Sequence, residues 1–286
     1  MKSKQIMIQG TSSGAGKSLI VTALCRIFSN KGYKVAPFKS QNMSSLIFNI
    51  ENTDNIIARA QAIQAIAARR LPDVRMNPIL LKPRGNFESD IYLNGKFYLK
   101  MKAQEYYENF VLNQGFENVL KSYKELRKEN DIIILEGAGS PAEINILKYD
   151  IANMLFAKKI KSKVILVSDI ERGGSFASIL GTISILKPKY RKLIKGILIN
   201  KFLGDDQILM PAIYKIEKKI HKPFLGIIPK IDHNIPAEDS LDKKNKDNIN
   251  INITIDSEKL NTEINKIANV IESTIDIKYI LHKIIE

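Results

Sequence analysis

The sequence predicts an α/β fold, a mostly parallel central sheet flanked by helices on both faces. Three observations predict it. Short apolar runs of strand type alternate with longer runs of helical periodicity, the pattern of parallel strands joined by helical crossovers. A glycine-rich loop, Gly10-Thr11-Ser12-Ser13-Gly14-Ala15-Gly16-Lys17-Ser18, stands between the first strand and the first helix. Polar clusters follow several of the apolar runs, at the strand ends where open α/β sheets hold ligands.

The first strand is the apolar run Gln5 to Gln9. The loop after it aims backbone N–H groups and a helix N-terminus at phosphate oxygens. Lys17 then reaches the outer phosphates and the Ser18 hydroxyl binds Mg²⁺, as in a P-loop NTPase. The usual spacing puts a glycine six residues before the lysine; Thr11 stands there in this chain and the glycine is Gly10, so the motif is a variant. The alternative is a plain Gly/Ser turn, which would need strand, loop and Lys-Ser pair to coincide by chance.

A helix is expected from about Gly16 to Asn30, burying Ile20, Leu24, Ile27 and Phe28 and stopping at Asn30-Lys31-Gly32. Lys34 to Phe38 reads as the second strand and ends in the polar stretch Lys39 to Met43. Asn55 to Arg70 reads as an alanine-rich helix. Pro72 and Pro78 bracket an extended connection that runs on to Pro83, and Ile91 to Leu99 reads as a small strand or hairpin. Gln104 to Lys128 is helical with a break near Gly115. Asp131 to Leu135 is a strand of buried type ending in Glu136-Gly137-Ala138-Gly139. A carboxylate at that tip is placed to hold Mg²⁺; the other reading is a helix-capping or turn glutamate. Helices over Asp150 to Lys159, Ser175 to Leu186 and Asp205 to Lys219 then alternate with strands over Val164 to Ser168, Gly196 to Asn200 and Phe224 to Ile228. Leu241 to Asn252 is rich in Asp, Lys and Asn and reads as a linker. Beyond it, Ile264, Ile267, Val270, Ile271 and Ile275 mark an amphipathic helix within Glu263 to Ile285. That helix either packs back on the domain or lies on a membrane surface or partner.

Length and composition bound the rest. A chain of 286 residues with 44% hydrophobic content can bury a sizeable core. No stretch reads as a signal peptide or membrane span, so a cytoplasmic address is the default. A single cysteine, Cys25, excludes an intrachain disulfide and a cysteine-rich metal site. The net charge of +14 has two readings, a polyanionic partner or a residue bias toward lysine spread along the whole chain.

Several segments together resemble the ATP-dependent amide-forming half of the cobyric acid synthase family. They are Gly10 to Ser18, Pro37-Phe38-Lys39-Ser40-Gln41-Asn42-Met43, Arg59-Ala60-Gln61-Ala62 and Met76-Asn77-Pro78-Ile79-Leu80-Leu81-Lys82-Pro83. Further along come Glu136 to Asn145, Asp150-Ile151-Ala152-Asn153-Met154, Asp169-Ile170-Glu171-Arg172-Gly173-Gly174 and Gly226-Ile227-Ile228-Pro229. The resemblance runs from about residue 5 to residue 241, and the Ser140 to Asn145 and Asp150 to Met154 stretches set this family apart from P-loop proteins at large. More distantly the chain resembles dethiobiotin synthetase and the MinD-like ATPases.

The resemblance implies that residues 1–240 are an ATP-binding amidoligase domain, with a linker over 241–252 and a tail over 253–286. It implies phosphorylation of corrinoid side-chain carboxylates by ATP and replacement of the phosphate by ammonia, as from adenosylcobyrinic acid a,c-diamide to cobyric acid. Lys17, Lys39 and Glu136 would be catalytic, and Ser18, Glu136 and Asp54 would hold Mg²⁺. Asn200 sits where relatives hydrogen-bond the adenine, and Gln41, Asn42, Asn145, Asn153 and Arg172 are either substrate contacts or turn and cap residues. A homodimer is expected, with ammonia from free ammonium or a separate glutaminase subunit, and with neither nucleic acid nor membrane insertion. Two departures stand out. The acidic switch residue that relatives carry five positions before the glutamine of Arg-Ala-Gln is Ile56 here, with Asp54 the nearest acid. The family's glutaminase domain is missing after Leu241. The rivals are a MinD- or ParA-like ATPase on membrane or DNA, against which Ser12 replaces the signature lysine, and a dethiobiotin synthetase-like ligase acting on another carboxylate.

Overall fold

The computed structural model describes residues 3–236, 253–254 and 256–285. The expected linker over 241–252 lies outside the described residues. Strands β1 (Lys4–Gly10), β2 (Val35–Phe38), β3 (Gln41–Met43), β4 (Ile47–Asn49) and β5 (Ile56–Ala58) come first, with helix α1 (Lys17–Asn30) after β1 and helix α2 (Arg59–Ala67) after β5. Strands β6 (Ile79–Gly85), β7 (Glu88–Leu93), β8 (Lys96–Lys102), β9 (Ile132–Glu136), β10 (Lys163–Asp169), β11 (Ile194–Phe202) and β12 (Phe224–Pro229) follow. Six strands form the central sheet in the order β12-β11-β10-β1-β9-β2, and every pairing in it is parallel.

Alternation along β1 decides what each face holds. Ile6 and Ile8 point into a core shared with α1 and the C-terminal helix Glu258–Thr274. Met7 points to the opposite core, shared with the helices Phe116–Glu129, Met154–Ile160 and Ser175–Ile185. Helices therefore cover both faces, as the alternating pattern requires.

Several boundaries differ from the sequence expectation. The helix expected from Asn55 begins at Arg59, because Ile56 to Ala58 pair antiparallel with Ile47 to Asn49. The connection expected to stay extended up to Pro83 is the strand β6 of a second sheet, ordered β3-β6-β7-β8. Pro83 is tolerated there because β3 pairs only with Ile79 to Leu81, so the proline faces a neighbour on one side alone. The hairpin expected over Ile91 to Leu99 is longer, Glu88 to Lys102, and turns at Asn94-Gly95. The break expected near Gly115 falls at Asn113, whose φ of −97° and ψ of −112° end a wide-turned helical stretch. The helix expected from Asp150 starts at Met154, and Asp150 instead accepts the amides of Ala152 and Asn153. A short turn, Asp206–Ile208, precedes the helix Met210–Ile220 in place of one continuous helix.

The C-terminal helix starts before the expected Glu263. Ser257 caps it by accepting from the Leu260 amide, and it ends at Thr274. Leu260, Ile264, Ile267 and Ile271 are buried against α1, so its apolar face is occupied by the domain itself. Among the described residues no helix is long and apolar enough to cross a membrane.

One polar contact ties that helix to α1. Arg26 is 0% exposed; its Nη2 donates to Asn261 Oδ1 at 2.5 Å and to the Ile66 carbonyl at 3.4 Å, while its Nε and Nη1 find no acceptor among the described residues. Burial, with the charge of Arg69, pulls its pKa down to about 10. Removing an acceptor from a buried cation costs more than removing the cation. Asn261→Ala should therefore destabilise the fold by about 1–3 kcal/mol in chemical denaturation. Arg26→Met should cost less or nothing; equal losses in the two variants would show that the guanidinium is a net stabiliser.

Candidate active site

Strand register brings the site together. β1 runs between β10 and β9, with Gly10 beside Val167 and Ile8 beside Glu136. β2 pairs with β9 so that Phe38 lies beside Leu135, and Lys39, directly after β2, reaches Glu136 with its ammonium. The loop, the acid and the second lysine thus meet at the C-terminal ends of adjacent strands.

Glu136 is 1% exposed and takes three side-chain donors. Oε1 accepts from Ser18 Oγ at 2.9 Å and from Lys39 Nζ at 2.7 Å, and Oε2 accepts from Gln64 Nε2 at 2.6 Å. Burial alone would raise the Glu136 pKa. The charge of Lys39 and its hydrogen bond, the Gln64 bond and the charge of Lys17 outweigh that and hold it below the usual carboxylate value. Glu136 is therefore an anion at neutral pH, and the donors it takes are side chains and not the amides of a helix start. Asn77 steadies the neighbouring strand by donating to the Lys39 and Ile79 carbonyls at 3.1 and 2.9 Å.

Lys17 Nζ donates to the Ser12 carbonyl at 2.9 Å and the Gly139 carbonyl at 3.0 Å, so it bridges the loop and the segment after β9. This explains the variant glycine. A Cβ on Gly10 would stand 2.9 Å from both Lys17 Nζ and the Ser12 carbonyl. Thr11 can replace glycine at the usual position because its amide bonds the Val167 carbonyl and its hydroxyl bonds Ser168. α1 begins after Gly16, with no side-chain cap and no acid in its first turn. Such a helix start favours an anionic ligand. Asn200 Nδ2 donates to the Ala15 carbonyl at 2.9 Å, and a Cβ on Gly16 would lie 2.0 Å from that nitrogen. Asn200 is thus packed against the loop backbone from the tip of β11. Lys201, next to it, joins the Gly14 carbonyl to Asp169.

The remaining sequence candidates divide. Asn42 is buried and donates to Gln61 at 2.9 Å, and Gln61 lies one turn from Gln64 on α2, so Asn42 belongs to the Glu136 cluster. Asn153 is buried and donates to the Ala138 carbonyl at 2.7 Å. Gln41 accepts from the Tyr106 hydroxyl at 2.7 Å. Asn145 and Arg172 are exposed on separate loops and make no bond with the cluster. Asp54 is exposed in the turn between β4 and β5 and bonds neither Ser18 nor Glu136. Among the described residues no three acids, histidines or cysteines gather as a metal site. Sequence reasoning missed Gln64 and Asp150. The signal for Gln64 was its three-residue spacing from Gln61, which puts both on one helix face.

Replacing Glu136 tests the cluster. Glu136→Gln keeps the shape but removes the charge, and nucleotide turnover should fall on the order of 10²-fold or more. An unchanged rate and Mg²⁺ dependence would make Glu136 structural. Because its folded pKa is depressed, the ion pair stabilises the fold above the ordinary carboxylate pKa of 4.5, and that contribution is lost as pH falls through the lower folded value. In Glu136→Gln this part of the acid-side loss of stability should disappear from unfolding curves measured against pH.

The family model CbiA, described as the CobQ/CobB/MinD/ParA nucleotide binding domain, matches residues 6–242. The chain is 52% identical over 253 residues to a probable cobyric acid synthase of Thermococcus onnurineus, a match covering 88% of this chain and 52% of that protein. It is 49% identical over 256 residues to the cobyric acid synthase of Clostridium novyi, covering 90% of this chain and 50% of that protein. The chain therefore spans about half the length of the curated relatives it matches. Among solved structures, the signal recognition particle receptor FtsY of Elizabethkingia anophelis aligns with a TM-score of 0.47 at 15% identity, over 81% of this chain and 60% of that one. The variant P-loop, the acid at the tip of β9 and the match over residues 6–242 agree, and the chain belongs to the CobQ/CobB/MinD/ParA family of nucleotide-binding domains.

Proposed function

We propose that this chain carries the ATP-dependent amidoligase activity of a cobyric acid synthase, acting on corrinoid side-chain carboxylates in cobalamin biosynthesis. The observation that carries the reading is the buried Glu136, held by Ser18, Lys39 and Gln64 beside the phosphate loop. The sequence likeness to cobyric acid synthases supplies the substrate class. Residues 1–240 are the amidoligase domain in this reading, and residues 253–286 are a tail. The reading also carries a cytoplasmic location and a homodimer.

The chemistry asks for positioning and charge neutralisation more than for covalent catalysis. A substrate carboxylate attacks the γ-phosphorus of ATP in line, and ADP leaves. The resulting acyl phosphate is attacked at carbon by ammonia, and phosphate departs. Lys17 meets the charge on the β- and γ-phosphates, the first turn of α1 meets their oxygens through backbone N–H groups, and Lys39 adds a second cation at the γ end. Ser18 Oγ and Glu136 Oε1 form a pair of hard oxygens that suits Mg²⁺, which usually takes few protein ligands and completes its shell with phosphate and water. Bound there, the ion would neutralise phosphate charge. Asp54 would join them only as part of a ligand-bound arrangement. Asn200 lines the base side of the nucleotide. The occupied apolar face of the C-terminal helix removes one of the two features that favoured a membrane-binding ATPase, leaving the net charge of +14.

Cys25 bears on the nitrogen source. It is fully buried in α1, and burial raises its thiol pKa far above the ordinary value, which quenches its nucleophilicity. In this reading the thiol of Cys25 is no glutaminase nucleophile, and ammonia comes from outside residues 1–286, as free ammonium or from a glutaminase. Incubation with ATP, Mg²⁺, ammonium and a corrinoid acid should give stepwise mass changes of hydroxyl for amine, and Lys17→Ala should abolish them. Glutamine should support no reaction, and Cys25→Ser should keep the ammonium-dependent rate. Wild-type turnover in Lys17→Ala, or glutamine hydrolysis lost in Cys25→Ser, would refute the corresponding assignment.

A further inference from the structure

Buried oxygens without donors collect on the other side of the Glu136 tip. Asn153 is 2% exposed, and its Nδ2 donates to the Ala138 carbonyl at 2.7 Å and to Asp150 Oδ1 at 3.1 Å. Those two acceptors fix the amide's orientation, since the flipped form would set oxygen against both. Its Oδ1 is left without a partner among the described residues. Asp150 spends Oδ1 on the amides of Ala152 and Asn153, while Oδ2 is buried with no hydrogen-bond partner among the described residues. Gln9, 0% exposed, has a third such oxygen, Oε1. Gln9 and Asn153 converge on Gly137, where a Cβ would stand 2.2 Å from Asn153 Oδ1 and 3.0 Å from Gln9 Cγ. Buried acceptors without donors call for a ligand that brings several N–H groups and positive charge.

We propose that Asp150 Oδ2 and Asn153 Oδ1 bind ammonium, and that Asp150 takes a proton from it to release ammonia toward the acyl phosphate. The place fits. Asn153 holds the Ala138 carbonyl, and the next carbonyl, Gly139, holds Lys17. Asn153 is thus tied one peptide away from the carbonyl that holds the phosphate-binding lysine. Bound ammonium gives a proton to the carboxylate, leaving ammonia. Its lone pair forms a C–N bond to the acyl carbon, and the C–O bond to phosphate breaks with its electron pair going to phosphate. The leaving phosphate takes the proton that the amide nitrogen sheds, and Asp150 returns its own to solvent. Burial pushes the Asp150 pKa up to about 7 against the hydrogen bonds from Ala152, Asn153 and Met154, a value suited to a base at neutral pH. Tyr107 faces the carboxylate from the 106–115 segment, and on its own segment Lys148 lies 4.5 Å above the Tyr149 ring and feels Glu108.

The proposal rests on the acyl phosphate reading above, so its test compares two nucleophiles. Hydroxylamine is neutral at pH 7 and traps an acyl phosphate as hydroxamate without being deprotonated first. Asp150→Asn keeps Oδ1 for the amides of Ala152 and Asn153. It should lower ammonium-supported amide formation on the order of 10²-fold, the size of a lost general base, and raise the KM for ammonium. Hydroxamate formation and the KM for ATP should stay near wild type. In the unmodified chain the KM for ammonium should rise as pH falls through about 7, while the KM for ATP does not. Equal loss with both nucleophiles, or an unchanged ammonium KM, would overturn the site. If the wild-type chain gives amide but no hydroxamate, the acyl phosphate reading falls and the proposal falls with it, an outcome visible without any variant.

Discussion

The buried ion pair between Lys39 and Glu136 is the constraint on which the rest of the site depends. A carboxylate 1% exposed is costly to ionise unless it is paired and its remaining lone pairs are filled. Lys39, Ser18 and Gln64 fill them from three different elements: the residue after β2, the first turn of α1 and the middle of α2. None of these can shift without leaving a buried charge short of a partner. The loop between β1 and α1 is therefore held from the far side of the sheet as well as by its own backbone.

That demand reaches into the fold. α2 must lie close enough to β9 for Gln64 to touch Glu136, and its small residues Ala60, Ala62, Ala65 and Ala67 are all buried, letting it pack closely between its neighbours. α1 must hold both the phosphate loop at its N-terminus and the C-terminal helix along its flank. The guanidinium of Arg26 bridges the Ile66 carbonyl at the end of α2 and Asn261 of the C-terminal helix. One buried cation thus links three helices, with two donor nitrogens left without acceptors among the described residues.

The sheet and its phosphate loop were legible in the sequence because they are local. Gly10 to Ser18 announces itself within one strand–loop–helix unit, and the apolar runs of β9 and β10 have the composition of strands buried on both faces. The second sheet was harder to see, since β3 pairs with β6 across a span occupied by α2, and three-residue strands carry almost no periodicity. The site divides in the same way. Lys17, Ser18, Lys39 and Glu136 follow from motif position. Gln64 and Asp150 do not, because a glutamine in an alanine-rich helix and an aspartate ahead of a helix read equally well as surface and cap. Gln64 finds its partner only when α2 packs against the tip of β9, and Asp150 finds its own in the turn that holds Ala152 and Asn153. Asp54 shows the reverse case: close in sequence to the expected switch position, it is exposed and bonds neither Ser18 nor Glu136.

The tip of β9 separates two kinds of surroundings. Glu136 itself gathers donors, the two cations Lys17 and Lys39 standing nearest. Immediately after it the chain turns through Gly137, which must lack a side chain because Gln9 and Asn153 occupy that space. On that side the unfilled groups are acceptors. The sign of the surroundings therefore reverses within a few residues of backbone. Consecutive carbonyls join the two regions, Ala138 to Asn153 and Gly139 to Lys17. A backbone strung between a lysine and an asparagine by adjacent peptide groups cannot move at one end alone, so the geometry of the phosphate side and that of the acceptor side are set together.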